Sequence, residues 1–524
     1  MANGELRIAT GASADQRISG SASYTTSFRF PISDFQTLKW VLPALGLVAM
    51  LFLGMTTFLR AESPPDFEAL AGQMGRAEAW YALNGYPESR IWSPESRIEN
   101  QPALPIPQSL IPHLPSDTPW PITHTVFMPL AARNFARPPV ERRILWVTRY
   151  DWTSLTAGAA PDAIDAIVAN AAGAGFNTLF FQVRAAGDAY YTPGLEPWAS
   201  RLTAGPVSET LGVDPGWDPL ARLLDGAHAA GLDVHAYVNV YPAWQSPPTQ
   251  TYGLLWPPAV TPAQMFDRFT YGPGNTQHPG EFGLGYTWRQ YDDTPAPMPL
   301  VWGQYLWASP GVDAVQEHVA AVVRDIVTRY PVDGVHLDLV RYAGRDYSHD
   351  PFSAAVTGTM TGPARAQWQR DRVTALVRRV ASETHALRPD ALVSAAVWPY
   401  YKDDLGLHTS SGYDDYYQDS KGWLAGGALD AIAPMLYGSG ASIPDDLGNW
   451  QVLAADFLEA SAGRDVYPGI AGYYDDFDAI AQRIAAARAL GAPGHAIFSY
   501  SALDSRGYWD DLASGPYSAP ALLP

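Results

Sequence analysis

The residues best placed to do chemistry lie in VDGVHLDLVRY, Val332–Tyr342. Alternation along an extended chain sets Val335, Leu337 and Leu339 on one face, and His336 and Asp338 on the other. Asp338 then faces a pocket at the end of the segment, with Arg341 and Tyr342 on the loop above. A carboxylate beside a guanidinium is held ionised, which suits a nucleophile or a charge stabiliser, although such a pair also serves simply to fix a loop. His336, one layer deeper, reads as a hydrogen-bonded core histidine. A second constellation, FQVRAAGDAYY (Phe181–Tyr191), offers Arg184 to neutralise Asp188 or Asp338, or to join a structural ion-pair network. HAYVNVYPAW puts Asn239 and Tyr241 at a rim, where an amide can bond a ligand hydroxyl or cap a loop. Cleavage of a glycosidic bond generally needs two carboxyl groups. Asp338 and Asp188 are the expected pair. Asp151 is an alternative second acid, and Glu196, Asp403, Asp404 and Asp475 are weaker ones. Arg184, Asn239, Tyr241, Arg341, Trp398, Tyr437, Asp151 and Tyr473 are the expected substrate contacts.

These residues share a position: each lies at or just beyond the end of a short apolar segment. Eight such segments run in order, Ile144–Thr148, Thr178–Val183, Val234–Asn239, Gly334–Leu339, Leu392–Val397, Ala431–Tyr437, Val466–Ile470 and His495–Tyr500. Patterns of helical period, such as DAVQEHVAAVVRDIVTRY, separate most of them. Continuous apolar strands alternating with helices imply a parallel sheet, and eight units predict a (β/α)8 TIM barrel over residues 141–515, with its chemistry at the strand C-termini. A long insertion after the third strand, Gln245–Trp307, carries Trp256, Tyr271, Tyr286, Trp288, Trp302 and Tyr305. It suits sugar stacking or a lid packed on its own barrel. Residues 516–524 read as a C-terminal tail.

Upstream, Trp40–Leu59 is an uncharged apolar run of membrane-spanning length, and Arg7, Arg17, Arg29 and Lys39 precede it. The basic bias predicts residues 1–39 in the cytoplasm, a signal-anchor over 40–59, and the barrel outside a cell membrane, or secreted if the segment is cleaved. Proline-rich residues 60–140 read as an extended spacer. A net charge of −19 argues against nucleic-acid partners. No cysteine is present, so disulfides and thiolate chemistry are excluded. HExxH, HxxxH, GxSxG and P-loop patterns are absent, and no metal or cofactor is expected. Asp414–Asp415 and Asp475–Asp476 suit calcium or simple solvation.

At these motifs the chain resembles the glycosyl-hydrolase-like 10 family. The resemblance covers roughly Arg142 to Leu503 and rests on FNTLFFQVRAAGDAYY with EPWASRLT, DPGWDPL with AHAAGLDVHAYVN, LWASPGVDAVQEHV, DGVHLDLVRY, WQRDRV, YDDYYQDSKGWL and LDAIAPMLYG. It implies a barrel, an exported location and action on a glycan, with bacterial cell-wall polysaccharide as a substrate class. By position, Asp338 matches the acid of the family's fourth-strand motif, and Arg184 and Asp188 match its second-strand motif. The chain departs where Leu339 follows Asp338 in place of a second acid, and where NVYP stands for the common NPYR. A glycoside hydrolase is the expected function. A catalytically silent glycan-binding barrel and a transglycosylase are the alternatives.

Overall fold

A computed structural model describes residues 140–246, 256–293, 296–301, 303–406, 410–437 and 446–521. The expected cytoplasmic tail, membrane anchor and spacer lie outside them. Among the described residues no helix is long and apolar enough to cross a membrane.

The architecture is mixed α/β, built on a curled parallel sheet. Its strands are β1 (Arg142–Val147), β2 (Thr178–Arg184), β3 (Asp233–Asn239), β4 (Gly334–Asp338), β5 (Leu392–Val397), β6 (Ala431–Pro434), β7 (Asp465–Val466), β8 (Gly469–Ala471) and β9 (Gly494–Phe498). They are ordered β7-β6-β5-β4-β3-β2-β1-β9-β8. The two ends of that order, β7 and β8, are successive pieces of one run; Ile432 pairs with Val466 on one side, and Ile470 with Ile497 on the other. The main helices are α1 (Pro161–Ala174), α2 (Pro219–Ala229), α3 (Asp313–Arg329), α4 (Gly362–Leu387), α5 (Leu447–Glu459) and α6 (Phe477–Ala489). Helix α3 buries Val315, Val319, Val322, Val323 and Ile326, a stripe of helical period laid on the sheet. Several helices start where the sequence supplies a cap. Asp218 accepts from Leu220 N–H and Ala221 N–H at α2, and Asp476 accepts from Asp478 N–H at α6.

The curl shows in what meets inside. Trp146 on β1 donates its indole N–H to His336 Nε2 on β4 at 3.0 Å. In a flat sheet those strands, three places apart, would be about 14 Å from each other. Phe180 stacks on His336 with ring centres 3.8 Å apart, and Phe498 and Tyr437 close on Trp146 at 6.1 and 6.2 Å. An indole N–H only donates, so His336 accepts at Nε2 and carries its proton at Nδ1, 2.9 Å from Ser394 Oγ. Burial holds its pKa well below the usual histidine range, and His336 is a neutral floor residue.

The insertion between β3 and α3 has a core of its own in Phe266, Phe269 and Trp288, all buried, while Trp256 is exposed. It is rooted on the sheet by a hairpin, in which Pro242–Gln245 runs antiparallel to Tyr305–Trp307.

The expected C-terminal tail is, through Ala521, part of the domain. Tyr517 is buried, its hydroxyl 2.7 Å from His495 Nε2 and its ring edge-on to Phe176. Arg143 donates to Tyr517 O and Ala519 O. The proline and small residues of this stretch hid the one aromatic that docks it. Tyr517→Ala is expected to lower unfolding stability by about 3–5 kcal/mol, the scale of emptying a large buried ring site. Urea denaturation checks this, and a change within error would return the segment to a loose tail.

Candidate active site

Asp338 ends β4 and is half-buried at the C-terminal edge of the sheet. One carboxylate oxygen accepts from the Tyr237 hydroxyl and the other from Leu339 N–H, both at 2.6 Å. Leu339 takes a left-handed φ of 50° to make that turn, a conformation disfavoured for a leucine. Burial raises the pKa of Asp338; the Tyr237 hydroxyl, Leu339 N–H and the charge of Arg341 oppose it only in part. The expected Asp338–Arg341 ion pair does not form. Arg341 instead lies among ring faces, its guanidinium carbon 4.4 Å from the centre of Tyr416, 5.1 Å from Trp398 and 5.3 Å from Trp307.

Asp188, also half-buried, accepts from Ala186 N–H at 2.8 Å. Burial raises its pKa against that bond and the charge of Arg149. Arg149, which follows β1, is the residue the sequence reading missed. Its Nη2 donates to Tyr150 Oη at 2.5 Å, Gln245 Oε1 at 2.8 Å and Tyr305 Oη at 2.9 Å. Tyr305 in turn lies 3.4 Å from Asn239 Nδ2 and within the electrostatic reach of Asp338. The charge of Arg149 acts on Asp188 and that of Asp338 on Tyr305, and Arg149 is bonded to Tyr305, a residue of the insertion. A basic residue directly after an apolar strand was the available signal for Arg149. Tyr305 was among the aromatics of the insertion, but nothing local marked it or Trp307 for these partners, because the hairpin that delivers them spans some sixty residues of chain.

Arg184 neutralises neither Asp188 nor Asp338, and it is enclosed by protein rather than open to a ligand. It grips Glu196 with two bonds of 2.7 Å and donates to Asn239 O and, at 3.2 Å, to Val240 O. His318 Nε2 meets the same Glu196 at 2.8 Å. Burial alone would raise the Glu196 pKa, but the charge of Arg184 and the His318 bond hold it down to about 2. Glu196 is thereby a strut rather than a second acid. Of the remaining expected residues, Asn239 meets Tyr305 and Trp398 lies against Arg341, while the others have separate surroundings. Asn239 is buried and donates to Ala185 O at 3.0 Å. Tyr241 is fully enclosed, and burial raises its hydroxyl pKa. Tyr437 belongs to the aromatic floor, stacked on Phe498, and Trp398 packs on Tyr416. Tyr473 is half-buried beside Tyr474. Asp151 accepts from Thr148 N–H at 2.5 Å and Ser501 N–H at 3.3 Å, and burial pushes its pKa up to about 6.

Asp403, Asp404 and Asp475 are exposed. Among the described residues no group of three or more His, Asp or Glu could hold a metal. The acidic pairs considered for calcium are engaged locally, Asp415 with Arg345 and Ser411 N–H, Asp476 as the α6 cap.

The family described as glycosyl hydrolase-like 10 matches residues 141–249 and 287–471, more than half of the chain. Glycosyl hydrolase DigH of Escherichia coli (strain K12) is 29% identical over 312 residues, covering 57% of this chain and 63% of its own. Glycosyl hydrolase YngK of Bacillus subtilis (strain 168) is 27% identical over 375 residues, covering 67% of this chain and 65% of its own. The chain thus spans less than two thirds of each relative. The glycoside hydrolase domain of PgaB (BpsB) from Bordetella bronchiseptica overlays 71% of this chain and 99% of its own, at 14% identity and a TM-score of 0.48.

Because the folded-state pKa of Glu196 is depressed, its contribution to stability is complete above the ordinary glutamate value of about 4.5 and is lost as pH falls toward about 2. Glu196→Gln leaves Arg184 buried without its counter-charge and is expected to cost about 3–5 kcal/mol at neutral pH. Its decline in stability between those pH values should also be shallower than that of the unsubstituted protein. Urea titrations across this range test both, and parallel declines would show that Glu196 does not carry the effect.

Proposed function

The chain belongs to the glycosyl hydrolase-like 10 family, and from that premise we propose that it is a glycoside hydrolase acting on an extracellular or cell-wall polysaccharide. Asp338 is its essential carboxyl group and Asp188 the second. The observation that carries this is the state of Asp338, a half-buried acid at a strand C-terminus, with no ion pair and with its pKa raised by burial. A general acid needs to hold its proton at a pH where substrate is cleaved, and burial is how a carboxyl group acquires that property. Asp338 would protonate the departing glycosidic oxygen. Asp188, near the charge of Arg149, would supply the negative group that stabilises or attacks the sugar, or activates water.

We read the curled sheet as an eight-stranded (β/α)8 barrel, supported by the run 465–471, which pairs with β6 through β7 and with β9 through β8. In such barrels the strand C-termini carry the chemistry. We place the domain outside the cell, tethered by Trp40–Leu59 or released from it, on the apolar length of that segment and the basic residues before it.

The test incubates the full chain and Asp338→Asn with peptide-free peptidoglycan strands and a panel of plant and bacterial glycans, with products read by mass spectrometry. Cleavage is expected, falling about 10²–10⁴-fold in the variant, the scale of losing a general acid. kcat/KM should decline as pH rises through the raised pKa of Asp338, above the ordinary aspartate value of about 4. Unchanged turnover in a folded Asp338→Asn protein would remove the centre of the proposal. Binding without product would leave a glycan-binding barrel, and products longer than the substrate would indicate a transglycosylase.

A further inference from the structure

Tyr237 lies on β3 and is 5% exposed, its ring edge-on to His336 with centres 5.6 Å apart. Its backbone is paired with that of His336, but its hydroxyl reaches further along the sheet and donates to Asp338 Oδ2 at 2.6 Å. The other carboxylate oxygen, Oδ1, accepts from Leu339 N–H at the same distance. Both oxygens of Asp338 are thus bonded within the protein, and the two donors differ in one respect. A backbone N–H is fixed by the chain and only donates. A phenol hydroxyl donates or accepts, according to where its hydrogen is turned. The acid form of Asp338 is therefore best served with its proton on Oδ2. Oδ1 then stays the carbonyl oxygen that Leu339 N–H requires, while Tyr237 turns its hydrogen away and accepts.

The other neighbours leave this exchange to Tyr237. His336 is neutral and engages both ring nitrogens lower down, Nε2 with Trp146 and Nδ1 with Ser394. Arg341 acts on Asp338 through its charge, and Tyr305 of the hairpin lies within reach of the Asp338 charge. Burial, and after it the charge of Asp338, hold the Tyr237 hydroxyl well above the usual tyrosine range. Tyr237 consequently keeps its own proton wherever Asp338 titrates.

Resting on the hydrolase proposal, we infer that Tyr237 is the positioning residue of Asp338. Its hydroxyl holds the acid's proton on Oδ2, then turns its own hydrogen onto that oxygen as the proton departs. In that step the Oδ2–H bond breaks and an O–H bond forms on the glycosidic oxygen. The bond from that oxygen to the sugar carbon breaks, its electron pair staying on the oxygen. Asp338 is left as a carboxylate that gains the Tyr237 bond as its charge develops, so the bond is strongest where it lowers the barrier.

The test compares the full chain with Tyr237→Phe, which keeps the ring against His336 and removes only the hydroxyl. Both are titrated with carbon-13 in the aspartate carboxyl groups, the Asp338 signal being the one missing from Asp338→Asn. The hydroxyl favours the carboxylate, so without it the acid keeps its proton to higher pH. The Asp338 midpoint is expected to rise by about 1–2 pH units, the scale of a hydrogen bond to a charged group. On the glycan that the unsubstituted protein cleaves, the fall of kcat/KM with pH should move up equally, from a plateau about 10- to 100-fold lower. Replacing Tyr237 by a ring-fluorinated tyrosine, a stronger donor, should move both midpoints down, and it serves if thermal unfolding shows Tyr237→Phe to be unfolded. A loss of activity at every pH with both midpoints unmoved would make Tyr237 a packing residue and overturn the inference, leaving the hydrolase. If no glycan is cleaved, the hydrolase proposal fails and the titration alone decides the coupling: a shifted Asp338 midpoint upholds it, and an unshifted one removes it.

Discussion

Everything at the site depends on the sheet curling until its inward side chains fill one another's space. The bond from Trp146 to His336 spans the inside from β1 to β4, and Phe180, Phe498 and Tyr437 pack the same layer. A layer of rings this dense excludes water from below. Groups one step further along the strands, Asp338 above His336 foremost, are thus solvated from one side only. That one-sidedness raises the pKa of Asp338, and it follows from the packing beneath rather than from any neighbouring charge.

Charge is distributed in two distinct ways above that floor. Where it holds the structure together, it is paired: Arg184 joins the end of β2 to Glu196 in the following loop and to carbonyls at and just past the end of β3, with His318 of α3 bound to the same carboxylate. Such a strut is costly to break, because each half is buried and depends on the other. At the C-terminal end of the sheet two half-buried acids, Asp338 and Asp188, have no ion pair among the described residues. A group already neutralised by its own protein has little left to offer a ligand, which is why the proposed function rests on the two unpaired acids.

The insertion after β3 does more than cover the sheet. Its hairpin brings Tyr305 to Arg149 and Trp307 to Arg341, so two arginines from different loops are each packed by a residue from one excursion of the chain. The buried rings of Phe266, Phe269 and Trp288 give that excursion a core, which lets it hold those two side chains in place.

The strands and the main helices were legible in the amino-acid sequence, because continuous apolar runs and helical stripes are local patterns set by a few consecutive residues. Asp338, Asp188 and Asn239 were legible as strand-end residues for the same reason. Partnership was not. Sequence placed Arg184 between two aspartates and Arg341 beside Asp338, whereas the fold gave Glu196 to the first and three aromatic rings to the second. It also docked Tyr517 where a tail was expected, and brought Tyr305 and Arg149 together from 156 residues apart. Those outcomes rest on which side chains converge once the sheet has curled. A buried charge takes whichever partner the closed packing brings within reach, and no spacing along the chain records that distance.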